Sequence, residues 1–501
     1  MDYFKLNSER KKRAESKRIV KSDNLKNNEE SGAIGRSFLP QFIACIGAII
    51  INIDVAVIMV WTSPALPYLK SNQTGFPVSD SQGAWIAALP SLSAIIGGLI
   101  FPLFINKIGR RYTMLIFGTL HALGAVLIIL AKSYIDLYVA RIICGIGSGG
   151  GYSTTIVYFG EIANKEIRGT LMTIMTIFAK VAGFYVAVAG AYLEYHTMNL
   201  TLLSVSLSFM LFFFLMPETP HFYLMKGKDA KAVKTLMKLR GVKDAEDVMA
   251  DIQIIKKSIL ENEVSEKPVW REMFCKNGCR KSILVVVLAK AASVFSGSMA
   301  ISAYAQEILT ESGSTLAPTS AAMIFTGMNI IAILPTTQFI DRFRRRPLFL
   351  VSGILSGICI GSVGLFFFLK LYLKYDLSSI AWLPLAGLIM FEFSFYMGFA
   401  ILPMVFLSEL FPLRVKGAAI GFANALHAVF GFTLKLTYQY LKSAGGIYIP
   451  FLTFSACCIC GACSVFWVAP ETKCKSLEEI QDMLKTKKSK PVSLILDSVT
   501  D

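Results

Sequence analysis

Pro217-Glu218-Thr219 and Pro470-Glu471-Thr472 repeat one tripeptide, each time directly after a long apolar run and before a basic, helix-forming segment. Two further signatures recur in the same way: Lys107-Ile108-Gly109-Arg110-Arg111 returns as Arg342-Phe343-Arg344-Arg345-Arg346, and Glu161 returns as Glu409. The three offsets are about 253, 235 and 248 residues. Similar offsets for separate signatures predict a chain built from two related halves.

The composition requires an apolar solvent around much of the chain. Of 501 residues, 54% are hydrophobic and 17% are charged, which is too apolar for one soluble core with a polar exterior. A helix that crosses about 30 Å of hydrocarbon needs roughly 20 residues, and continuous apolar runs favour helices over barrel strands. The sequence supplies twelve such runs, so we predict an all-α membrane protein with two six-helix bundles. The predicted spans are 38–62, 84–105, 113–132, 136–158, 170–192, 199–216, 281–305, 317–340, 347–370, 381–407, 417–441 and 448–469.

The positive charges lie on one side of the predicted membrane. The formal net charge is +16, which alone would also suit a nucleic-acid-binding protein. Of the 50 Lys and Arg residues, however, 41 fall in termini and loops that alternate to one side, and five fall on the other. This asymmetry follows the positive-inside rule, which places both termini in the cytosol and argues against nucleic acid as a partner. We expect a multi-pass protein of the plasma membrane, surrounded by the lipid bilayer.

One long polar stretch divides the spans six and six. Residues 217–280 contain runs with amphipathic helical spacing, which predict short helices on the inner membrane face. This segment is either a solvated connector or a latch between an N-terminal bundle over 38–216 and a C-terminal bundle over 281–469. Residues 1–37 are charged and polar, unlike a cleavable signal, and are predicted to be a disordered cytosolic tail. Residues 470–501 form a second cytosolic tail.

The cysteines do not indicate a metal or a disulfide framework. Of the ten present, four fall inside the last apolar span, where Cys packs as a small apolar residue. Cys275 and Cys279 fall on the cytosolic side, where thiols stay reduced. We therefore expect no metal, no cofactor and no catalytic constellation. Two glycosylation sequons begin at Asn72 and Asn199 on the outer side; Asn72 has the roomier loop and is the candidate acceptor.

Several short motifs together resemble the sugar-porter family of the major facilitator superfamily over essentially the whole chain. They are Gly109-Arg110-Arg111, Arg141 with Gly145, Gly147 and Gly149, Tyr158-Phe159-Gly160-Glu161 with Arg168-Gly169, Pro217-Glu218-Thr219-Pro220, Glu409-Leu410-Phe411-Pro412, and Pro470-Glu471-Thr472-Lys473 followed by Ser476-Leu477-Glu478-Glu479-Ile480. Each motif is weak alone, and their order and spacing make the resemblance specific. The segment Trp61-Thr62-Ser63-Pro64-Ala65-Leu66-Pro67 is most similar to the insect facilitated trehalose transporters and the facilitative glucose transporters.

The resemblance implies the major facilitator fold, in which two six-helix bundles rock about a midplane cavity and present it alternately to each side. It implies a transporter rather than an enzyme, with a small-molecule substrate. The implied substrate is a sugar, trehalose or a hexose, moved by facilitated diffusion or together with protons. Two other functions stay open: a relative that carries a small non-sugar solute, and a substrate sensor that signals without net transport.

The charged residues of these motifs fall at cytosolic helix ends. The resemblance implies a gate that holds the two halves together in one conformation and separates in the other. Since an exposed ion pair contributes only about 0 to 1 kcal/mol, several pairs would have to act together. The alternative is that these charges only set the topology and cap helices. The predicted cytosolic gate comprises Arg110, Arg111, Glu161, Arg168, Glu218, Arg345, Arg346, Glu409, Arg414, Lys416 and Glu471.

The resemblance also places substrate-binding positions in the central cavity. Family members bind sugar through polar side chains, because a hydroxylated ligand needs donors and acceptors to replace its lost water. The matching positions are Thr176, Lys180, Ser293, Ser296, Met299, Asn329, Met404 and His427. This set is poor in amides, which weakens the support for a sugar. Lys180 is either a ligand contact or half of a buried pair with a carboxylate, and in either case hints at an anionic or atypical substrate. His427 is either a packing residue or a substrate contact.

Ionisable residues inside spans are costly, at roughly 2.5 to 3.5 kcal/mol each near the bilayer centre, so each should face a cavity or a partner. They are Asp54, Arg141, Lys180, Lys290, Glu392, His427 and Lys435. By the resemblance, Arg141 matches the family arginine, and Asp54 matches the neighbouring aspartate of proton-coupled sugar porters in one alignment, whereas counting from Trp61-Thr62-Ser63-Pro64 shifts that match by three residues. We expect these two to pair, either as a static ion pair or as a proton-binding site coupled to substrate. Lys435 is expected to snorkel toward the outer surface, and Tyr304 is a candidate outer gate.

Overall fold

The structure is a computed structural model that describes residues 39–71, 75–242, 244–263, 273–275 and 277–473, with the single positions 475, 479, 480 and 483. Within these residues every regular element is helical, so the prediction of an all-α protein is confirmed. The predicted N-terminal tail, residue Asn72 and most of the predicted C-terminal tail lie outside the described residues.

Seven helices build the first half of the chain. They are α1 (Leu39–Val60), α2 (Thr62–Lys70), α3 (Asp80–Ile108), α4 (Arg110–Leu130), α5 (Tyr134–Ile162), α6 (Lys165–Tyr192) and α7 (Tyr195–Phe213). α1 and α2 form one span that is interrupted at Trp61. The sequence predicted the end of this span at residue 62, but the helix continues to Lys70. Pro64 does not stop it, because the first turn of a helix tolerates a residue without an N–H.

Three short helices follow, named α8 (Pro220–Met225), α9 (Asp229–Arg240) and α10 (Glu246–Glu263). Thr219 caps α8 by accepting from the Phe222 N–H at 3.3 Å, and Pro220 occupies the first helical position, where its fixed φ suits the helix. The apolar faces of the three helices meet in a small core of Leu224, Ala232, Leu236, Val248 and Ile252. α9 also packs against α1, which attaches this group to the first half.

The described residues of the second half form nine α-helices. They are α11 (Asn277–Phe295), α12 (Ser298–Ser312), α13 (Pro318–Ile333), α14 (Thr336–Arg342), α15 (Arg345–Phe367), α16 (Leu383–Ser394), α17 (Leu402–Leu410), α18 (Leu413–Gly445) and α19 (Tyr448–Val468). Single π-helical turns at Phe368–Tyr372 and Phe395–Phe399 extend α15 and α16. Gly297 joins α11 to α12 with a φ of 92°, and a Cβ there would lie 2.3 Å from the Phe454 ring. Only glycine fits such a left-handed, closely packed link.

The helices account for twelve membrane spans. Ten segments of the described chain are long and apolar enough to cross a bilayer. α5, with 29 residues, and the pair α13 and α14, which is interrupted at Pro335, supply two more. The twelve-span prediction is therefore confirmed.

Glycines allow α3 and α5 to pack with their backbones almost in contact. A Cβ at Gly97 would lie 2.0 Å from the Ile146 carbonyl oxygen, and one at Gly149 would lie 1.9 Å from that of Ala94. Small residues at such crossings are the usual means by which membrane helices approach closely. The glycine-rich run of α5 thus serves helix packing, as its position in mid-span indicates.

The two halves touch each other mainly at one end of the molecule. We call the end that carries both Pro-Glu-Thr sequences the motif end, and the opposite end the distal end. Helix pairs α2–α12, α3–α18 and α6–α13 cross between the halves. Near the distal end, Glu307 accepts from Lys70 at 3.2 Å and from Lys442 at 2.5 Å, and the Gln306 N–H donates to the Ser63 hydroxyl at 3.3 Å. The distal end is closed.

Candidate functional site

A central cavity of about 840 Å³ lies between the two halves. Helices of both halves line it, and Thr173, Ile340 and Ser408 bring its wall close to the motif end. The described hydrogen bonds and ion pairs that join the halves include a distal group, formed by Lys70 with Glu307, Gln306 with Ser63, and Lys435 with Ala87 and Ser91, and a contact of Lys180 with Tyr396 at mid-depth. The cavity is therefore reached from the motif end and sealed at the distal end.

Seven of the eight predicted substrate-binding positions line this cavity. They are Thr176, Lys180, Ser293, Met299, Asn329, Met404 and His427. Ser296 does not, because its hydroxyl is buried and donates to the Ser293 carbonyl at 2.7 Å. The kink between α11 and α12 turns it away from the cavity.

The cavity wall holds few amide groups, as the sequence indicated. Asn329 and Asn424 line it, and the side-chain amide oxygen of Asn329 has no hydrogen-bond partner among the described residues. Hydroxyl groups that sequence reasoning missed, on Ser298, Ser302 and Thr326, add to the polar surface. Their positions follow from the kinked geometry of the second half, which local sequence patterns do not reveal.

Lys180 reaches from α6 toward the second half. Its ammonium nitrogen lies 4.8 Å from the centre of the Tyr396 ring, a cation–π distance. It also interacts electrostatically with Glu392, which is buried and whose two carboxylate oxygens accept no hydrogen bond within the described residues. Lys180 therefore lines the cavity and has Glu392 as a charged neighbour without forming an ion pair with it, and its contact with a ligand stays a prediction.

The prediction that Lys435 snorkels to the outer surface is wrong. Its side chain is buried, and its ammonium nitrogen lies 3.2 Å from the Ala87 carbonyl oxygen and 3.2 Å from the Ser91 hydroxyl. The reason is that α3 of the first half covers this part of α18. Lys435 therefore points into the cavity wall rather than to the membrane surface.

His427 lies on the same helix as Lys435, two turns closer to the motif end, and also lines the cavity. Its Nδ1 atom has no hydrogen-bond partner in the described chain. The charged groups that act on the ring are Lys290 of α11 and Lys435, so positive charge surrounds this part of the cavity.

The expected pair of Asp54 with Arg141 is not formed. Asp54 accepts from the Ser206 hydroxyl at 2.8 Å and lies 3.5 Å from Nδ1 of His121. The Arg141 guanidinium instead donates to the carbonyl oxygens of Ile86 at 3.0 Å and Ile58 at 2.8 Å. The Ile58 carbonyl belongs to the last turn of α1, where helical carbonyls need other donors.

Trp61 and His121 complete this buried polar region. The Arg141 guanidinium lies 5.0 Å from the Trp61 ring centre, and the Trp61 indole N–H donates to Asn199 at 2.7 Å. Asn199 is consequently buried rather than open to glycosylation. Sequence reasoning missed His121, because a single histidine in an apolar helix carries no motif.

At the motif end of the first half, two carboxylates hold the start of α4. Glu218 accepts from the backbone N–H groups of Arg110 at 2.9 Å and Arg111 at 3.1 Å. Glu161 accepts from the Arg110 guanidinium at 2.6 Å and, through its other oxygen, from the Thr219 hydroxyl at 2.6 Å. A negative charge at this place complements the helix dipole.

The second half repeats this arrangement. Glu471 accepts from the backbone N–H groups of Arg345 at 3.0 Å and Arg346 at 3.2 Å, at the start of α15. The Arg345 guanidinium lies 3.5 Å from Glu409. The same geometry at equivalent positions supports the duplication that the repeated motifs indicate.

Burial perturbs the pKa of one predicted gate residue, Glu218, and of a neighbouring histidine, His221. It raises the pKa of Glu218 above its ordinary value, although backbone N–H groups donate to the carboxylate. It also lowers the pKa of His221, against the opposing effect of the Glu161 carboxylate. The start of α4 is thus held by a carboxylate that binds a proton more readily than a surface glutamate does.

In this conformation the predicted gate residues connect helices within each half, and the contacts described for them do not cross between the halves. Lys416 makes no ion pair with a described residue. The side chains of Arg168 and Arg414 lie outside the described part of the chain. The expected latch between the halves is therefore absent from the described contacts, as a cavity reached from the motif end requires.

Two six-helix halves around a central cavity define a membrane transporter of the major facilitator fold. The fold is similar to the inward-open xylose transporter XylE of E. coli, with a TM-score of 0.71 at 21% identity over 88% of this chain and 98% of that one. It is also similar to a D-xylose–proton symporter, with a TM-score of 0.67 at 19% identity over 88% of this chain and all of that one. The sequence matches the family described as "Sugar (and other) transporter" over residues 41–484, and the chain belongs to that family.

Several insect proteins have similar sequences. The chain is 31% identical over 443 residues to the facilitated trehalose transporter Tret1 of Apis mellifera ligustica, covering 88% of this chain and 87% of that protein. It is 30% identical over 449 residues to Tret1 of Culex quinquefasciatus, covering 89% and 86%. The Aedes aegypti relative is longer, and the chain spans 54% of its length. The resemblance to transporters rather than enzymes is confirmed.

Proposed function

We propose that this protein moves a sugar, either trehalose or a hexose, across the membrane by alternating access. The observation that carries the proposal is the cavity of about 840 Å³ between two duplicated halves, reached from the motif end and sealed at the distal end. Sites for small molecules typically enclose roughly 300 to 1,000 Å³, so a disaccharide fits as readily as a hexose. The family membership and the trehalose-transporting relatives support the substrate.

The polar contacts between the halves suggest how access alternates. In the present conformation Glu307 of the second half bonds to Lys70 of the first, and these are partly exposed pairs that separate at low cost. When they separate, the halves can rock so that the motif end closes and the distal end opens. The carboxylate clusters of Glu218 and Glu471 would then meet the basic residues of the opposite half.

The distribution of basic residues supports an orientation. Since 41 of the 50 Lys and Arg residues belong to the side that includes the motif end, the motif end faces the cytosol in this proposal. The present conformation is then open to the inside. The plasma membrane and cytosolic termini belong to the same proposal.

A second candidate is proton-coupled transport, which the environment of Asp54 favours. Its carboxylate is buried, and Ser206 and His121 offer a hydroxyl and an imidazole instead of a permanent positive charge. A carboxylate without a fixed counter-charge in an apolar region favours its neutral, protonated form. Asp54 is therefore the proposed proton-binding group, with His121 rather than Arg141 as its neighbour.

Uptake into vesicles tests the proposal. Purified full-length protein is reconstituted into liposomes, and accumulation of radiolabelled trehalose and glucose is compared with protein-free liposomes. The proposal expects time-dependent accumulation that unlabelled sugar inhibits. Binding without accumulation would instead favour the sensor, and exclusion of both sugars would favour the carrier of a non-sugar solute.

A further inference from the structure

We infer that the cavity binds a small organic anion, a hydroxylated carboxylate, through the cluster formed by Lys290, His427 and Lys435. This inference rests on the proposal that the cavity is the transport path, and it specifies an acidic sugar derivative, instead of a neutral sugar, as the substrate that the cavity prefers. Lys435 and His427 line the cavity, and Lys290 acts electrostatically on His427 from α11.

Within the part of the chain that the structure describes, the two lysines of this cluster have no negatively charged partner. Lys435 meets only uncharged acceptors, at Ala87, Ser91 and, weakly, the Met59 sulfur at 4.0 Å. Lys290 is buried and makes no hydrogen bond or ion pair with a described residue. The other charged group that acts on Lys435 is Arg141, which is also a cation.

The buried carboxylates of the spans are engaged elsewhere. Glu392 acts on Lys180, on the other side of the cavity. Asp54 is bonded to Ser206 and lies beside His121. Because a buried charge without a counter-charge is strongly unfavourable in a membrane protein, an excess of positive charge next to an open cavity indicates that the counter-charge comes from the ligand.

The geometry leaves a donor for that ligand. An ammonium group has three N–H donors, and two of those of Lys435 are taken by Ala87 and Ser91. The third faces only the Met59 thioether, a weak acceptor that a carboxylate would displace. Ser298, Ser302 and Asn424 supply uncharged groups along the same cavity that suit hydroxyls. A hexuronate carries both a carboxylate for Lys435 and hydroxyl groups for these uncharged side chains, so glucuronate is a suitable probe.

Direct binding to the full-length protein in nanodiscs tests the inference. Equilibrium binding of radiolabelled glucuronate is compared with glucose, which has the same ring but no carboxylate. Since charge-assisted hydrogen bonds are about twice as strong as neutral ones, we expect glucuronate to bind about tenfold more tightly. Lys435→Met should weaken glucuronate binding about tenfold and glucose binding less than about twofold.

Matched variants separate this effect from damage to the fold. Lys132→Met removes an exposed lysine outside the cavity and should leave glucuronate binding unchanged. Lys435→Arg keeps the charge and should retain most of the affinity. Should Lys435→Met fail to purify, Lys290→Met provides the same comparison from the other helix. Equal affinity for glucuronate and glucose in the unmodified protein would overturn the inference without any variant.

Uptake into the liposomes described under the proposed function distinguishes a bound inorganic anion from a transported organic anion. If the site instead holds a chloride ion, high chloride should abolish glucuronate binding, and the liposomes should accumulate no glucuronate. These two results together would overturn the inference. Accumulation of glucose or trehalose with exclusion of glucuronate would also overturn it, while the proposed function would stand. Tight binding of glucuronate with no accumulation of any solute would support the anion site and contradict the proposed function.

Discussion

Asp54 is a buried carboxylate whose neighbours are a hydroxyl and an imidazole. The serine hydroxyl stabilises the ionised form by donating to it, while the absence of a bound guanidinium allows the neutral form. Because its surroundings allow both the ionised and the neutral form, the Asp54 carboxyl group is suited to bind or release a proton when the conformation changes.

Replacing Asp54 by Asn tests this role. We expect Asp54→Asn to reduce uptake driven by an inward proton gradient about tenfold or more, because the amide binds no proton, while exchange of labelled for unlabelled sugar continues. Ser206→Ala is the control, since it removes the hydrogen bond but keeps the carboxyl. Uptake and pH dependence that match the unmodified protein in Asp54→Asn would show that this group is only structural.

The positions of single charges were only partly predictable from the sequence. The family resemblance predicted most of the positions whose side chains line the cavity, and the sequence itself showed which residues inside the spans are ionisable. The partners of Arg141 and Lys435 did not, because they depend on which carbonyl groups α1 and α3 present after the helices pack. Lys435 has a long side chain near the outer end of its span, which favours snorkelling. A helix of the other half covers it, however, so the ammonium group stays buried.

At the scale of helices, the duplicated motifs act as caps. Glu218 and Glu471 lie at equivalent places and bond to the first N–H groups of α4 and α15. The sequence spacing predicted that charged residues would gather at these ends. It did not predict that the contacts would stay within each half, because that depends on the conformation rather than on the motif.

The packing of α3 on α5 provides a prediction at the same scale. Gly149→Ala should destabilise the protein by about 1 to 3 kcal/mol, since the added methyl group would collide with the Ala94 carbonyl, which a packed helix cannot withdraw. The measurement is the apparent melting temperature in detergent. Gly160→Ala, on the same helix, meets no atom within 4 Å and should leave that temperature unchanged or slightly higher. Equal destabilisation by both would show that the contact with the Ala94 carbonyl is not the cause, since Ala has a higher helix propensity than Gly.

At the scale of the whole molecule, a small charged cluster keeps the distal end closed. Glu307 contacts Lys70 across the halves and Lys442 within its own half, and Glu311 also pairs with Lys442. Beneath them Tyr304, the predicted outer gate, is buried and stacks on Tyr438 with ring centres 4.8 Å apart. Both rings belong to the second half, so the described contacts that join the halves at this end include the Lys70–Glu307 ion pair and the Ser63–Gln306 hydrogen bond.

Glu307→Gln should shift the population toward the conformation that is closed at the motif end. Loss of these partly exposed pairs removes about 1 kcal/mol, or roughly a fivefold change in the equilibrium. Spin labels at Lys107 and Arg342, exposed and equivalent positions of the two halves, report the change as a larger fraction of short distances. Asp376→Asn, which removes an exposed carboxylate bonded only to Ser378, is the control. An unchanged distance distribution in Glu307→Gln would show that the Glu307 ion pairs do not hold the distal end closed.

The central claim is that transport requires the distal contacts between the halves to open and close. The backbone N–H of Gln306 donates to the Ser63 hydroxyl across the halves. Replacing both residues by cysteine allows a reducible cross-link between the halves at this place. The decisive measurement is uptake of radiolabelled sugar into proteoliposomes by the cross-linked double variant, before and after reduction, beside each single variant treated in the same way. The account predicts that cross-linking abolishes uptake and that reduction restores it. Full uptake by the cross-linked protein would contradict alternating access through this cavity.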